Sequence, residues 1–143
     1  MGLFYTGIVW RIMAVYGGER GCDMAKRTIC VDMDGVLAKY DGWKGVDHIG
    51  EPIDGAREFL RKLSKKYEVA IFTTRCNAVA QSEYTERELI EKVRDWLQKH
   101  EMHWDLIIPG KPLCVGFVDD NAIRCRPQDE EWAFDAALST LRG

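Results

Sequence analysis

The sequence has no apolar run long enough to cross a membrane. Its most apolar stretch, residues 3–15, is interrupted by Arg11 and falls short of the roughly 20 residues that a transmembrane helix requires. No basic segment precedes this stretch, as it would in a secretory signal peptide. We therefore expect no membrane partner.

The cysteines and histidines do not form a pattern typical of a zinc site or a disulfide framework. The chain has 5 cysteines and 3 histidines, and no two cysteines show Cys-x-x-Cys spacing. An odd number of unpatterned cysteines favours reduced thiols and a cytoplasmic location.

The chain also lacks an excess of positive charge. Its formal net charge is -3, which gives no general attraction to nucleic acid or to an anionic membrane. The run of Arg61, Lys62, Lys65 and Lys66 is interpreted as the solvated end of a helix, where cations suit the helix dipole. A nucleic-acid partner is therefore not favoured.

With 143 residues, the chain has the length of one domain and is too short for a catalytic domain with a separate lid domain. Residues 17–21 are glycine-rich and indicate a flexible joint. We predict a flexible N-terminal extension over residues 1–24 and a single domain over residues 25–143.

Predicted strands alternate with predicted helices after residue 27. Alternation of this kind implies parallel pairing and a three-layer, Rossmann-like α/β sandwich. The predicted strands are one that ends at Asp32, then Glu68–Phe72, Trp104–Ile108, Val115–Val118 and Ile123–Cys125.

Three helices are predicted between and after these strands. Apolar residues recur at helical spacing in the first two: Ala56, Phe59, Leu60 and Leu63, then Leu89, Ile90, Val93, Trp96 and Leu97. Asp54 is predicted to cap the first, and Thr85 and Glu88 form a capping box at the start of the second. Residues 128–131 supply acids expected in the first turn of the last helix, which runs towards Leu141.

Two aspartates follow the first predicted strand. Thr28 to Val31 is short, apolar and β-branched, and Asp32, Asp34 and Gly35 come directly after it. Ligands bind at the carboxyl ends of parallel strands, and paired carboxylates there predict an anionic site that binds a metal. An Asp-Gly pair alone is often only a turn.

Three later features reinforce this site. Thr73 follows the second predicted strand, Lys111 lies in a turn, and Asp119 and Asp120 follow the fourth predicted strand. The order Asp-x-Asp, Thr, Lys, Asp-Asp resembles the haloacid dehalogenase-like (HAD) superfamily, most of whose members are phosphatases. The resemblance extends from Thr28 to Cys125.

The chain is also similar to a narrower group, the small capless HAD-like hydrolases of bacteria and phages. Its Gly42-Trp43-Lys44-Gly45 and the segment Ile49–Ala56 match motifs of that group. Many relatives have arginine where this chain has Asn121. The resemblance implies the strand order 3-2-1-4-5, with Ala38–Ile53 as a short flap in place of a cap domain.

The resemblance also implies a role for each motif residue. Asp32 is expected to attack phosphorus and form an aspartyl-phosphate, and Asp34 to act as general acid and then general base. Thr73 and Lys111 are expected to hold the non-bridging phosphate oxygens.

The implied cofactor is Mg²⁺, since the motifs offer only hard oxygen ligands. The expected ligands are Asp32, the backbone carbonyl of Asp34, Asp119 and Asp120, with Asp120 bound directly and Asp119 beside it.

Three further residues, Thr74, Arg75 and Asn77, follow the second motif and are expected to line the entrance of the site. Thr74 and Arg75 are predicted substrate contacts, although Arg75 could equally pair with surface acids.

The predicted activity is Mg²⁺-dependent hydrolysis of a small phosphorylated metabolite or nucleotide by a monomer or homodimer. Two alternatives stay open: a phosphatase acting on polynucleotide ends, and a catalytically silent HAD-fold module that only binds metal. A response-regulator receiver uses similar residues but places its paired acids before the phosphorylated aspartate. The order of the motifs in this chain therefore argues against that class.

The N-terminal prediction can be tested by truncation. Because residues 1–23 contribute none of the motifs, a protein that starts at Met24 should fold and keep full activity. Melting temperature, oligomeric state and specific activity of the two proteins provide the comparison. Loss of soluble protein on truncation would show that the segment belongs to the folded body.

Overall fold

The computed structural model describes residues 26–142, so the predicted extension lies outside the described residues. No helix within this range is both long and apolar enough to span a bilayer. The strands are β1 (Thr28–Val31), β2 (Glu68–Phe72) and β3 (Leu106–Ile108), and the helices are α1 (Ala56–Ser64), α2 (Glu86–Lys99) and α3 (Ala133–Arg142). A 3₁₀ turn covers Thr74–Cys76.

The three strands form a parallel sheet in the order β1-β2-β3. Val31 lies beside Ile71, and Phe72 lies beside Ile108. The carboxyl ends of all three strands therefore meet at one edge of the sheet. The predicted α/β class with a parallel sheet is confirmed.

Strand β2 is buried on both faces of the sheet. Val69, Ala70 and Ile71 each have a relative exposure of 0%, and successive residues of a strand point to opposite faces. Both faces at β2 are thus covered. All four residues of the predicted apolar stripe of α1 are buried. In α2, Ile90 of the predicted stripe is only partly buried, and the others are buried: Leu89, Val93, Trp96 and Leu97.

The helix starts agree with the predictions in one case of three. Thr85 and Glu88 form the predicted capping box. The prediction for Asp54 is wrong: Gly55 is the N-cap of α1, with φ of 87° and no side-chain cap. Glycine adopts this left-handed conformation without strain, so a backbone turn starts the helix.

The last helix starts later than predicted. Helix α3 begins at Ala133, beyond the acidic residues 128–131, and the acid in its first turn is Asp135. Its Phe134 stacks on Phe59 of α1 with ring centroids 4.6 Å apart. Packing of this ring against α1 anchors the start of α3.

The predicted fourth and fifth strands are absent from the structure. Residues 115–118 and 123–125 are irregular, and Val115 and Val118 are fully exposed. No backbone hydrogen bond within residues 26–142 joins residues 111–125 to the sheet. An apolar pattern predicts burial, but a strand also needs a paired backbone, and this segment does not pair with β1.

The flap, Ala38–Ile53, closes on itself at its base. The Lys39 N–H donates to the Glu51 carbonyl at 2.8 Å. The chain passes so close at Gly50 that a Cβ there would lie 2.0 Å from the Lys39 carbonyl oxygen. Trp96 of α2 donates from Nε1 to the Gly50 carbonyl at 3.0 Å. The flap is therefore fixed to α2 at its base.

Candidate active site

The carboxyl edge of the sheet brings three of the predicted residues to one region. Asp32 directly follows β1, and Thr73 directly follows β2. Lys111 follows β3 after a turn at Gly110, whose φ is 87°. Parallel pairing thus gathers residues that lie far apart in the sequence.

Asp32 and Lys111 form an ion pair. Lys111 Nζ lies 3.2 Å from Asp32 Oδ1, and the two side chains are 14% and 39% exposed, respectively. The Met33 N–H donates to the same Asp32 oxygen at 2.7 Å. The Lys111 ammonium also lies 5.6 Å and 5.5 Å from the ring centroids of Phe72 and Phe117. Aromatic rings at such distances attract a cation.

Two features of the surroundings of Asp32 shift its pKa in opposite directions. Burial raises the pKa of the Asp32 carboxyl, and the charge of Lys111 partly offsets that rise. Lys111 therefore favours the ionised carboxylate, which is the form a nucleophile requires.

Asn77 holds the backbone that carries Lys111. Its Nδ2 donates to the Lys111 carbonyl at 2.9 Å, while its Oδ1 accepts from the Val79 N–H at 2.9 Å. In the sequence, the only sign of this contact is the position of Asn77 just after the second motif. The contact itself arises from tertiary structure.

Thr73 is almost fully buried, with a relative exposure of 1%. Its Oγ1 accepts from the Arg75 N–H at 3.2 Å, so the hydroxyl caps the 3₁₀ turn. Thr74 is the first residue of that turn and is partly exposed. A hydroxyl that accepts one hydrogen bond can still donate its own proton.

Cys76 ends the same turn but is no candidate nucleophile. Burial raises the pKa of its thiol to about 12. The thiol is therefore protonated at neutral pH, and the thiolate is the reactive form.

Asp34 and Arg75 form a second, bidentate ion pair. Arg75 Nε donates to Asp34 Oδ2 at 2.7 Å, and Arg75 Nη2 donates to Asp34 Oδ1 at 3.0 Å. Arg75 thus pairs with an acid of the first motif, which is only 18% exposed, and not with the surface acids that were the predicted alternative. Its contact with substrate stays a prediction.

The second pair of acids lies on the irregular segment that follows Lys111. Asp119 and Asp120 are both exposed, and Asp119 Oδ1 accepts from the Asn121 N–H at 3.1 Å. A cleft of about 870 Å³ runs along β1, and Asp32, Lys111, Asp119 and Asn121 are among its lining residues.

The positions of the described side chains agree only in part with the expected metal site. Asp32 and Asp119 line one cleft and offer the oxygen donors that Mg²⁺ prefers. Within residues 26–142, however, no three His, Cys, Asp or Glu side chains are gathered closely enough to hold an ion. The donor chemistry fits Mg²⁺, while the full ligand set stays a prediction.

Comparison with known proteins supports the fold. No protein-family model and no curated protein matches the chain. The chain is similar to the crystal structure of an MCSG target from Vibrio cholerae, with a TM-score of 0.57 and 23% sequence identity. The match covers 80% of this chain and 98% of that one. At this identity the likeness shows the fold alone.

The Asp32–Lys111 pair predicts a pH-dependent effect of the Lys111→Met substitution. Removing the cation should raise the pKa of Asp32 further above its value in the unfolded chain. A carboxyl with a raised pKa contributes stability at low pH, and that contribution is lost as pH rises through the folded-state pKa. The variant should therefore lose more unfolding free energy than the wild type between about pH 4 and about pH 7.

Urea unfolding in metal-free buffer at several pH values measures this difference. In an Asp32→Asn background, Lys111→Met should have the same effect at every pH, because the titrating partner is gone. Parallel pH profiles for wild type and Lys111→Met would show that the two groups do not interact.

Proposed function

We propose that the protein is a phosphatase that hydrolyses phosphate monoesters through an aspartyl-phosphate on Asp32, with Mg²⁺ as its cofactor. The proposed substrate is a small phosphorylated metabolite or a nucleotide. The observation that carries the proposal is the Asp32–Lys111 pair, whose charged atoms lie 3.2 Å apart and whose side chains line the cleft along β1. A carboxylate nucleophile and a cation for phosphate oxygens lie side by side there.

The contacts of Asp32 indicate which of its oxygens attacks. Met33 N–H and Lys111 Nζ both contact Oδ1, so we assign Oδ2 as the attacking atom. Oδ2 forms a bond to phosphorus as the bond to the leaving alcohol breaks. Asp34 gives a proton to the departing oxygen and later takes one from the water that hydrolyses the aspartyl-phosphate.

Neutralisation of charge is the second requirement. Lys111 and the Thr73 hydroxyl are assigned to the non-bridging oxygens, where donors aimed at developing charge lower the barrier most. Asp32, the backbone carbonyl of Asp34 and Asp120 would hold Mg²⁺, with Asp119 beside Asp120, and the ion would neutralise the phosphoryl oxygens. These roles follow from the resemblance to HAD-like hydrolases.

The catalytic form is proposed to have the five-stranded order 3-2-1-4-5. Among residues 26–142, no strand pairs with β1 on the side away from β2, and the cleft is lined by β1 residues. Val115 and Val118 are exposed on the segment that would pair there. Pairing of Val115–Val118 with β1 would bury those side chains and carry Asp119 and Asp120 to the carboxyl edge.

Hydrogen exchange tests the fourth strand. Amides of residues 115–118 should exchange at least about tenfold more slowly with Mg²⁺ than without it, because pairing with β1 protects them. Amides of β2 serve as the control, since they are paired already. Rapid exchange at 115–118 in Mg²⁺-bound, active protein would contradict the proposed strand.

Substitution at the nucleophile tests the activity. Asp32→Asn should abolish Mg²⁺-dependent turnover of p-nitrophenyl phosphate while the protein stays folded, because an amide cannot form the aspartyl-phosphate. Lys111→Ala should lower kcat by about 10²-fold through lost charge stabilisation. Steady-state kinetics and circular dichroism of each variant are the measurements.

Asp135→Asn provides a matched control, because this exposed aspartate lies on α3. It should retain wild-type turnover. Near-wild-type activity of Asp32→Asn would refute the mechanism. Wild-type protein that binds Mg²⁺ but turns over no phosphate ester would favour the catalytically silent module.

A further inference from the structure

Arg75 is a buried cation with several intramolecular partners. Its side chain is 5% exposed. In addition to both oxygens of Asp34, it donates from Nη2 to the His48 carbonyl at 2.9 Å. Its guanidinium carbon also lies 4.9 Å from the centroid of the Trp43 ring. Within residues 26–142, Nη1 is a buried side-chain nitrogen with no hydrogen-bond partner.

A charge is costly to bury unless it is paired, so these contacts define where the guanidinium can lie. The planar fork of arginine fixes the plane of the carboxylate it binds. Asp34 is 18% exposed, and its orientation is therefore set from its buried side by Arg75.

We propose that Arg75 is a positioning residue, which fixes the Asp34 carboxylate in one orientation and joins it to the flap through Trp43 and His48. The inference rests on the proposed function, in which Asp34 transfers the proton. It assigns to Arg75 a role that differs from its predicted contact with substrate.

The bidentate contact is compatible with proton transfer. A carboxylate has about four lone-pair sites, and each Asp34 oxygen uses one of them for Arg75. One site on each oxygen is therefore left. In the acid form, one of these sites carries the proton that Asp34 gives to the leaving oxygen, and the same site later accepts a proton from water. The ion pair restricts the orientation of the carboxylate without occupying all of its hydrogen-bond acceptor sites.

The flap contributes to this restraint from the other side. Trp43 and His48 both belong to the flap, whose base is fixed to α2 through Trp96 and Gly50. Arg75 thus connects the loop after β1, the turn after β2 and the flap. Arg75 therefore links the Asp34 side chain to the flap, in addition to the backbone bridge between Asp34 and Ala38.

The test uses Arg75→Lys, which keeps the positive charge and removes the fork. A misplaced general acid matters most for a poor leaving group, whose oxygen needs a proton as the bond breaks. For a simple alkyl phosphate, kcat should therefore fall by about 10²-fold with KM nearly unchanged. For p-nitrophenyl phosphate, which departs without a proton donor, kcat should fall by less than about tenfold.

The matched control is Arg61→Lys. Arg61 makes the same bidentate contact with Glu58, at 2.7 Å and 2.6 Å, but lies exposed on α1. The Arg61→Lys variant should have wild-type kcat and KM on both substrates. In an Asp34→Asn background, Arg75→Lys should cause no further loss on either substrate, because the group that Arg75 positions is gone.

The outcomes separate this inference from its alternatives. A rise in KM of equal size for both substrates would identify Arg75 as a substrate contact and overturn the inference, as would equal losses of kcat on both. If Arg75→Lys does not fold, Trp43→Ala replaces it and should show the same preferential loss on the alkyl phosphate. Wild-type protein inactive on both substrates would overturn the proposed function itself, whereas active wild type with unaffected variants would overturn this inference alone.

Discussion

The parallel pairing of β1 with β2 is the constraint on which the candidate site depends. Its register places Val31 beside Ile71, so the residues that follow the two strands lie at the same edge of the sheet. Asp32 and Asp34 follow β1 there, and Thr73 and Arg75 follow β2. A shift of the register by one residue would turn buried side chains of β2 to the opposite face and separate these partners.

Each of the two aspartates of the first motif has its own cation, and the two cations differ in kind. Lys111 is a compact charge on a flexible stem, and it contacts Asp32 at the cleft. The phosphate of the proposed substrate would replace Asp32 as its partner or bind beside it. Arg75 is a rigid fork that is buried against Asp34 and the flap. Lysine suits a group that must exchange partners, and arginine suits one that must stay in place. This division is consistent with the roles proposed above for Asp32 as nucleophile and for Asp34 as proton carrier.

The described sheet ends at β1, and this explains both the size of the cleft and the exposure of the acids beyond Lys111. A strand edge with free backbone groups invites pairing. The chain offers a segment for it, since residues 115–118 carry apolar side chains that are exposed. In the structure, Asp119 reaches the cleft and Asp120 is exposed, which leaves the expected metal ligands dispersed. Pairing of that segment would bring them together.

The sequence alone predicted what depends on local patterns. The period of apolar residues predicted α1, α2 and β2, and the capping box at Thr85 was correct because its two hydrogen bonds lie within four residues. The positions of Asp32, Thr73 and Lys111 after strands were also predictable, since strand ends are local features. The pairings were decided by tertiary structure: Lys111 with Asp32, Arg75 with Asp34 and Asn77 with the Lys111 backbone. Each pairing joins residues that are distant in sequence and that only the folded sheet and flap bring together. The same reason explains why residues 115–118 are irregular in the structure, because an apolar pattern is local, whereas a strand exists only where another strand's backbone pairs with it.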